Sequence, residues 1–185
     1  MGKVRDELSN LDLKELDRFK VAKTIADILE KAGYELEEVD SYRPWGQFWK
    51  VKNEHADKFI KEFFEKVELP KSDLPRTPKI LLHYPMARNS WQYHDRRKEY
   101  WQFLTDGFYY LSSSDEHPAS PIETRGGELV TLEPRQRHRM GGHYGTPTLV
   151  AEIWEHTEDR PSNEEDIVRL EDDYKLVGRK VQGGG

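Results

Sequence analysis

A succession of short strand-like segments begins near Lys79 and constrains the fold more than any other feature of the chain. Some segments alternate polar and apolar side chains, as a strand with one buried face does. An Asp106-Gly107 pair between two of the segments is a hairpin signal. Short strands at regular spacing predict an all-β barrel or sandwich. The predicted strands cover residues 80–84, 90–94, 99–104, 108–111, 128–132, 138–140 and 149–156, with a polar loop over 112–123.

The chain before residue 76 follows a helical pattern instead. Apolar residues recur three or four positions apart over 11–32 and over 54–67, which predicts two helices, and Gly33 is a natural end for the first. Residues 34–51 are expected to be irregular or extended. We therefore expect an N-terminal helical extension over residues 1–75, a β domain over 76–182 and a tail over 183–185.

Composition and charge limit the classes of function. The net charge of −6 disfavours a general nucleic-acid binder, which needs a basic face to displace counterions. The chain has no cysteine, so a metal ion would have to bind His, Asp, Glu or Gln side chains. No apolar run approaches the ~20 residues of a membrane span, and the N-terminus lacks the apolar core of a signal peptide. We therefore expect a cytoplasmic protein with neither a membrane nor a nucleic acid as partner.

Four candidate metal ligands stand out from the other polar residues. Alternation along the strand predicted at 90–94 places Gln92 and His94 on one face, Glu99 begins the next strand, and His138 begins a later one. Each of these residues alone would most simply be a surface or packing residue. Together they offer two imidazoles, a carboxylate and an amide oxygen, a set that suits zinc, iron, manganese, cobalt or nickel.

The segments that carry these residues resemble two motifs of the phosphomannose isomerase family of cupin-type sugar-phosphate isomerases. The segment 92–101 is similar to the first cupin motif, including the spacing from Gln92 to His94 to Glu99. The segment 134–139 is similar to the second motif, which ends in a His-Arg pair. The resemblance thus implies the same four metal ligands as the residue types do.

Two flanking segments extend the resemblance. Residues 42–46 are similar to the Arg-Pro-Trp-Gly sequence that precedes these barrels, and residues 165–172 are similar to the closing segment of the family. The motifs occur in the family's order and span residues 42–179. They imply an all-β cupin barrel, jelly-roll-like, with an N-terminal α-helical extension.

The resemblance also implies an activity: metal-dependent interconversion of an aldose and a ketose, as a sugar or sugar phosphate, through an enediol. It implies one divalent ion, with zinc placed before manganese, iron, cobalt and nickel. Glu152 is the candidate base, and Arg139 is a candidate catalytic residue that would contact the phosphate or the enediolate. Arg43, Arg97 and Arg179 are candidate substrate-binding residues.

Two alternatives stay open at this point. One is a cupin of different metal chemistry, a dioxygenase or lyase; such sites more often present three His and one Glu, and Gln92 argues against an iron oxygenase. The other is a non-catalytic sugar-binding cupin. The expected partners are a small-molecule sugar or sugar phosphate and a second copy of the chain, because Trp91 and Tyr93 would face outward and need cover. We expect the acidic run 158–173 to be solvated.

Overall fold

The structure is a computed structural model, and it describes residues 2–13, 17–69, 72–157 and 162–174. Within these ranges the chain forms three α-helices and eleven β-strands. The helices are α1 (Lys3–Ser9), α2 (Arg18–Lys31) and α3 (Ala56–Phe63). The strands are β1 (Leu36–Arg43), β2 (Gly46–Val51), β3 (Lys79–His83), β4 (Trp91–His94), β5 (Arg97–Phe103), β6 (Gly107–Ser112), β7 (Ile122–Thr124), β8 (Leu129–Leu132), β9 (Arg137–Gly142), β10 (Thr148–His156) and β11 (Ile167–Glu171).

The strands form two antiparallel sheets. The six-stranded sheet has the order β1-β2-β3-β10-β5-β8, and the five-stranded sheet has the order β11-β4-β9-β6-β7. This mostly-β architecture is consistent with the expected cupin-like barrel. The strand pairs of the described ranges nevertheless form two separate sheets rather than one closed barrel. None of the helices that the structure describes is both long enough and apolar enough to cross a membrane.

The six-stranded sheet is buried on both faces, and β10 shows how. Ala151 and Ile153 pack in the same apolar cluster as the helices, whereas Val150 packs in the cluster between the two sheets. Because successive strand residues alternate in direction, Glu152 also faces the space between the sheets. On the outer face, the indole N–H of Trp49 donates to the carbonyl oxygen of Ala22 and so links α2 to the sheet.

The two predicted helices are shorter than their apolar patterns. α2 begins after Asp17, whose carboxylate caps the helix by accepting from the N–H groups of Phe19 and Lys20. It ends before Gly33, which has a positive φ of 78°. The second predicted helix ends at residue 63 rather than 67, because Phe64 leaves the helical conformation.

The sequence pattern missed strands at both ends of the β region. β1 and β2 form a hairpin, and β2 pairs with β3, so residues before position 76 belong to the same sheet as those after it. The division into a separate extension over 1–75 stays a prediction. The short strand β7 lies in the expected loop. Of the acidic run expected to be solvated, residues 167–171 form β11, a half-buried edge strand that pairs with β4, and residues 158–161 lie outside the described ranges.

Candidate metal centre and adjoining pocket

The four predicted ligands come from both sheets and meet between them. Gln92 and His94 lie on β4, and His138 lies on β9, all in the five-stranded sheet, while Glu99 lies on β5 of the six-stranded sheet. Gln92 and His138 are direct neighbours in the β4–β9 pairing. The sequence places these residues far apart, and the sheet register brings them together.

Three of these residues form a compact buried group, defined here as the His94-Glu99-His138 cluster. The Nε2 atom of His94 lies 3.0 Å from one carboxylate oxygen of Glu99. The Nε2 atom of His138 lies 3.6 Å from the other oxygen. The three potential donor atoms all lie within 4.8 Å of one another. This donor set of two imidazoles and a carboxylate suits a borderline divalent ion.

The protonation pattern of the cluster also suits a metal ion. The Nδ1 of His138 lies 2.8 Å from the carbonyl oxygen of Gln136 and donates to it, which leaves a lone pair on Nε2. That Nε2 is buried and has no hydrogen-bond partner among the described residues. Burial lowers the pKa of His94 to about 4 and also lowers that of His138, so both rings are neutral at pH 7.

Glu99 supplies the negative charge of the cluster. Burial alone would raise the pKa of Glu99, but the neighbouring His94 and the guanidinium of Arg97 outweigh it and hold that pKa well below the ordinary value. The indole N–H of Trp101 donates to Glu99 at 3.2 Å. The carboxylate is therefore ionised and oriented, as a metal ligand must be.

Gln92 lies beside the cluster but does not present its oxygen to it. The amide oxygen accepts from the hydroxyl of Ser90 at 2.6 Å, and the amide nitrogen lies 3.5 Å from Nε2 of His94. A half-turn of the amide would exchange the two atoms. Gln92 is thus positioned as a fourth ligand only after that rotation.

Arg97 occupies the space next to the same donor atoms. Its Nε donates to Glu99 at 2.8 Å, and its Nη2 lies 3.0 Å from Nε2 of His94. Its Nη1 donates to the hydroxyl of Ser162 at 3.0 Å, and the guanidinium stacks on the ring of Trp154 at 3.4 Å. Arg97 is only 3 % exposed, so it is an internal part of the site.

Glu152 lies next to the cluster, on the inner face of β10. The indole N–H of Trp101 donates to Glu152 at 3.2 Å as well as to Glu99, so one indole bridges the two carboxylates. Burial raises the pKa of Glu152 to about 7; the charge of Glu99 adds to this effect and that of Lys79 opposes it. A carboxyl group with such a pKa can exchange a proton near neutral pH.

A pocket of about 190 Å³ opens onto this group of side chains. Gln92, Arg97, Glu99 and Glu152 all line it. Sequence reasoning did not single out several other residues that contribute to the wall, because only long-range strand pairing brings them to the pocket: Trp45, Phe48, Lys79, Trp154 and Arg169.

The remaining predicted residues have different positions. Arg43 lines the pocket, with its guanidinium 2.6 Å from the carboxylate of Asp40. Arg139 follows His138 on β9 and therefore points to the opposite face. Its guanidinium donates to the carbonyl oxygen of Asn89 and to Asp173, so the structure does not bring Arg139 to the cluster. Arg179 lies outside the described residues.

The solved structures that match this chain are similar to it in fold, at low sequence identity. Two structures of the capsular polysaccharide assembling protein CapF from Staphylococcus aureus match with TM-scores of 0.52 and 0.51, at 13% and 14% identity. The matches cover 75% and 86% of this chain but only 35% and 39% of CapF, so the chain spans little more than a third of that protein. A cupin 2 conserved barrel domain protein from Salinispora arenicola matches with a TM-score of 0.37 over 48% of this chain and 70% of that one, at 16% identity.

The structural neighbours are cupin-fold proteins, which agrees with the expected fold class. No protein-family model matches the chain, and no curated protein matches it in sequence.

Proposed function

We propose that this chain is a metal-dependent isomerase that interconverts an aldose and a ketose, as a sugar or sugar phosphate, through an enediol. The observation that carries the proposal is the position of Glu152, a buried carboxyl group with a pKa of about 7, in the pocket that Glu99 of the His94-Glu99-His138 cluster also lines. Proton transfer between adjacent carbons needs such a base beside a group that stabilises negative charge.

The cluster residues and Gln92 would hold the divalent ion, zinc before manganese, iron, cobalt or nickel. When bound, the ion would stabilise the negative charge that develops on the sugar oxygens. The chain itself supplies the proton transfer between the carbons: Glu152 takes the proton from C2 of the aldose and returns a proton to C1 of the enediol, while the proton of the C2 hydroxyl passes to the C1 oxygen. The indole of Trp101 holds Glu152 in place by donating to its carboxylate.

The pocket wall also suits a sugar. Trp45 and Phe48 offer aromatic surface on which the apolar face of a sugar ring can pack. Arg43 and Arg97 supply guanidinium groups for a phosphate or other anionic substituent. These features support a phosphorylated or otherwise anionic sugar as the small-molecule partner.

Hydrogen exchange at C2 of the sugar tests the proposal directly. Zinc-loaded protein is incubated in D₂O with a panel of aldoses and aldose 6-phosphates, and ¹H NMR follows the loss of the C2 proton signal and the appearance of ketose. We expect both with at least one sugar, and neither with Glu152→Gln. The matched control is Glu155→Gln on the same strand, because Glu155 accepts from Tyr100 on the outer side of the sheet.

A non-catalytic sugar-binding cupin is the second candidate. One observation favours it: Lys79 lies 3.8 Å from Glu152, so this carboxylate also has the ion-pair partner of a purely structural residue. Saturable sugar binding without C2 exchange in any metal-loaded form would select the binding protein and reject the isomerase.

A further inference from the structure

Arg97 makes a set of contacts that a simple substrate-binding arginine would not need. Three of its guanidinium nitrogens have buried partners: Nε bonds Glu99, Nη2 bonds His94 and Nη1 bonds Ser162. Two of these partners, His94 and Glu99, are the donors that a metal ion would use. The guanidinium therefore binds the same atoms that a metal ion would bind.

The contact with His94 and metal coordination exclude each other. A neutral imidazole has a single lone pair in the ring plane, on the nitrogen that carries no proton. Nη2 of Arg97 lies 3.0 Å from Nε2 of His94, so the guanidinium occupies the space in front of the nitrogen that would bind the ion. A divalent ion bound to Nε2 would meet the guanidinium in the same space and with the same sign of charge, so only one of the two cations can lie there at a time.

We propose that Arg97 and a divalent metal ion are alternative partners of His94, so that metal loading displaces the guanidinium towards the pocket. The inference rests on the metal site of the proposed function and adds its regulation. Without metal, the positive charge of Arg97 compensates Glu99 in the buried cluster; an unpaired buried carboxylate would be strongly destabilising. With metal, the ion takes over that role.

The remaining contacts of Arg97 can hold its guanidinium in the pocket after it has left His94. Trp154, on whose ring it stacks at 3.4 Å, lines the same pocket as Arg97 itself. The hydroxyl of Ser162 is held by Asp166, to which it donates at 2.5 Å. The guanidinium can therefore leave His94 while it keeps Trp154, and its freed N–H groups then face the pocket.

Zinc affinity of Arg97→Met measures the competition. Untagged protein is stripped of metal and titrated with zinc against a chromophoric chelator at pH 7.5. Removal of a charge-assisted hydrogen bond and a competing cation should raise the zinc affinity by about tenfold or more. A folded Arg97→Met protein with unchanged or weaker zinc affinity would overturn the proposal.

The matched control is Arg96→Met. Arg96 carries the same charge one residue earlier, but its guanidinium lies 3.5 Å from Asp166 rather than beside the cluster. We expect zinc affinity within about twofold of wild type, since neither His94 nor Glu99 loses a partner. An equal gain in both variants would mean that general charge, not the contact with His94, sets the affinity, and would also overturn the proposal.

Wild-type protein provides a second test in case Arg97→Met does not fold. In protein labelled with ¹⁵N-arginine, the Nε–Hε signal of Arg97 is assigned by its absence from Arg97→Lys, which keeps the charge. Zinc should shift this signal and speed its exchange with solvent, because the bond to Glu99 weakens. An unchanged signal at saturating zinc would contradict the displacement.

The outcomes separate this inference from the proposed function. Stoichiometric zinc and C2 exchange with an unmoved Arg97 would reject the displacement and keep the isomerase. Zinc-dependent movement of Arg97 without C2 exchange would keep the displacement and reject the isomerase. Failure of both wild type and Arg97→Met to bind zinc would reject the inference and the metal site together.

Discussion

The ring of His138 shows how a backbone carbonyl can prepare a histidine for metal binding. The carbonyl oxygen of Gln136 fixes the proton on Nδ1, and the other nitrogen is left buried without a hydrogen-bond partner in the described part of the chain. We expect His138→Ala to lower zinc affinity by about a hundredfold or more. The same chelator competition measures it, with His143→Ala, which lies outside the pocket, as the control.

Retention of wild-type zinc affinity in His138→Ala would remove this residue from the ligand set.

Glu152 determines the expected pH dependence of activity. As a base it must be deprotonated, so kcat/KM should rise as the pH rises through about 7, the pKa to which burial raises this carboxyl. The measurement is the kcat/KM profile from pH 5.5 to 8.5 on the sugar identified by C2 exchange. A profile that is flat across pH 7 would contradict the role of Glu152.

The same group should affect stability with a predictable sign. Because its pKa is higher in the folded protein than in the unfolded chain, the stabilisation that it provides is present below about pH 4.5 and is lost as the pH rises through about 7. From pH 5 to pH 8, Glu152→Gln should therefore gain stability relative to wild type, as urea unfolding would show. If Glu152→Gln loses activity but is at least as stable as wild type, the role of Glu152 is catalytic rather than structural.

At the scale of elements, Gly46 explains part of the Arg-Pro-Trp-Gly segment. It lies opposite His83 where β2 pairs with β3. A Cβ atom at this position would lie 1.8 Å from the carbonyl oxygen of Leu82, which is backbone and cannot move aside. We expect Gly46→Ala to cost about 3 kcal/mol in unfolding free energy, measured by urea denaturation.

The control for Gly46→Ala is Gly145→Ala, where an added Cβ would meet no atom within 4 Å. Equal stability of the two variants would show that the hairpin tolerates a side chain at position 46.

Arg139 links β9 to the segment that follows β11. Its fully buried guanidinium donates to Asn89 at 2.6 Å and to Asp173 at 2.8 Å. Arg139→Met should cost about 2 kcal/mol through these charge-assisted bonds, yet leave zinc affinity and C2 exchange unchanged. Thermal unfolding and the zinc titration measure the two effects, with the exposed Arg135→Met as the control.

The opposite result, wild-type stability with lost activity, would restore the catalytic role that the sequence motif implies for Arg139.

At this scale, strand alternation in the sequence correctly predicted most of the strands that carry the candidate ligands. It placed Gln92 and His94 on one face and identified the strands that bear Glu99 and His138, because period-two patterns are local. Strand alternation did not identify β11, because its few apolar residues lie between acidic ones. It also did not identify the pairing of β2 with β3. Those elements are defined by long-range pairing, which leaves little trace in a local pattern.

The direction of individual side chains was the least predictable part of the site. Arg97 and Arg139 are both motif arginines, but one lies against the cluster and the other on the far face of β9. Strand direction separates Arg139 from its neighbour His138, whereas the position of Arg97 depends on contacts with Trp154 and Ser162 from distant segments. Sequence spacing contains no information on such contacts.

At the scale of the whole molecule, the outward aromatic residues that suggested a dimer have cover within the chain. Trp91 is fully buried, packs with Phe108 and Tyr110, and donates from its indole to the carbonyl oxygen of Asp115. Arg137 lies over the ring of Tyr93. The homodimer stays a prediction, but it no longer follows from uncovered aromatic surface.

The two-sheet architecture matters to function because it brings donors from both sheets to one point. Glu99 reaches the cluster from the six-stranded sheet, while the two histidines come from the five-stranded sheet. A bound ion would therefore connect the sheets and stabilise the folded chain, since the unfolded chain presents no such site. The metal site is thus the central claim on which the proposed function and its regulation depend.

The most direct test of that claim is elemental analysis of untagged protein beside the double variant Gln92→Ala/His94→Ala. We expect one divalent ion per chain in the wild type, and loss of that ion in the double variant. Absence of metal from the wild type, even after incubation with zinc, manganese, iron, cobalt or nickel, would contradict the account and leave a cupin fold without a metal centre.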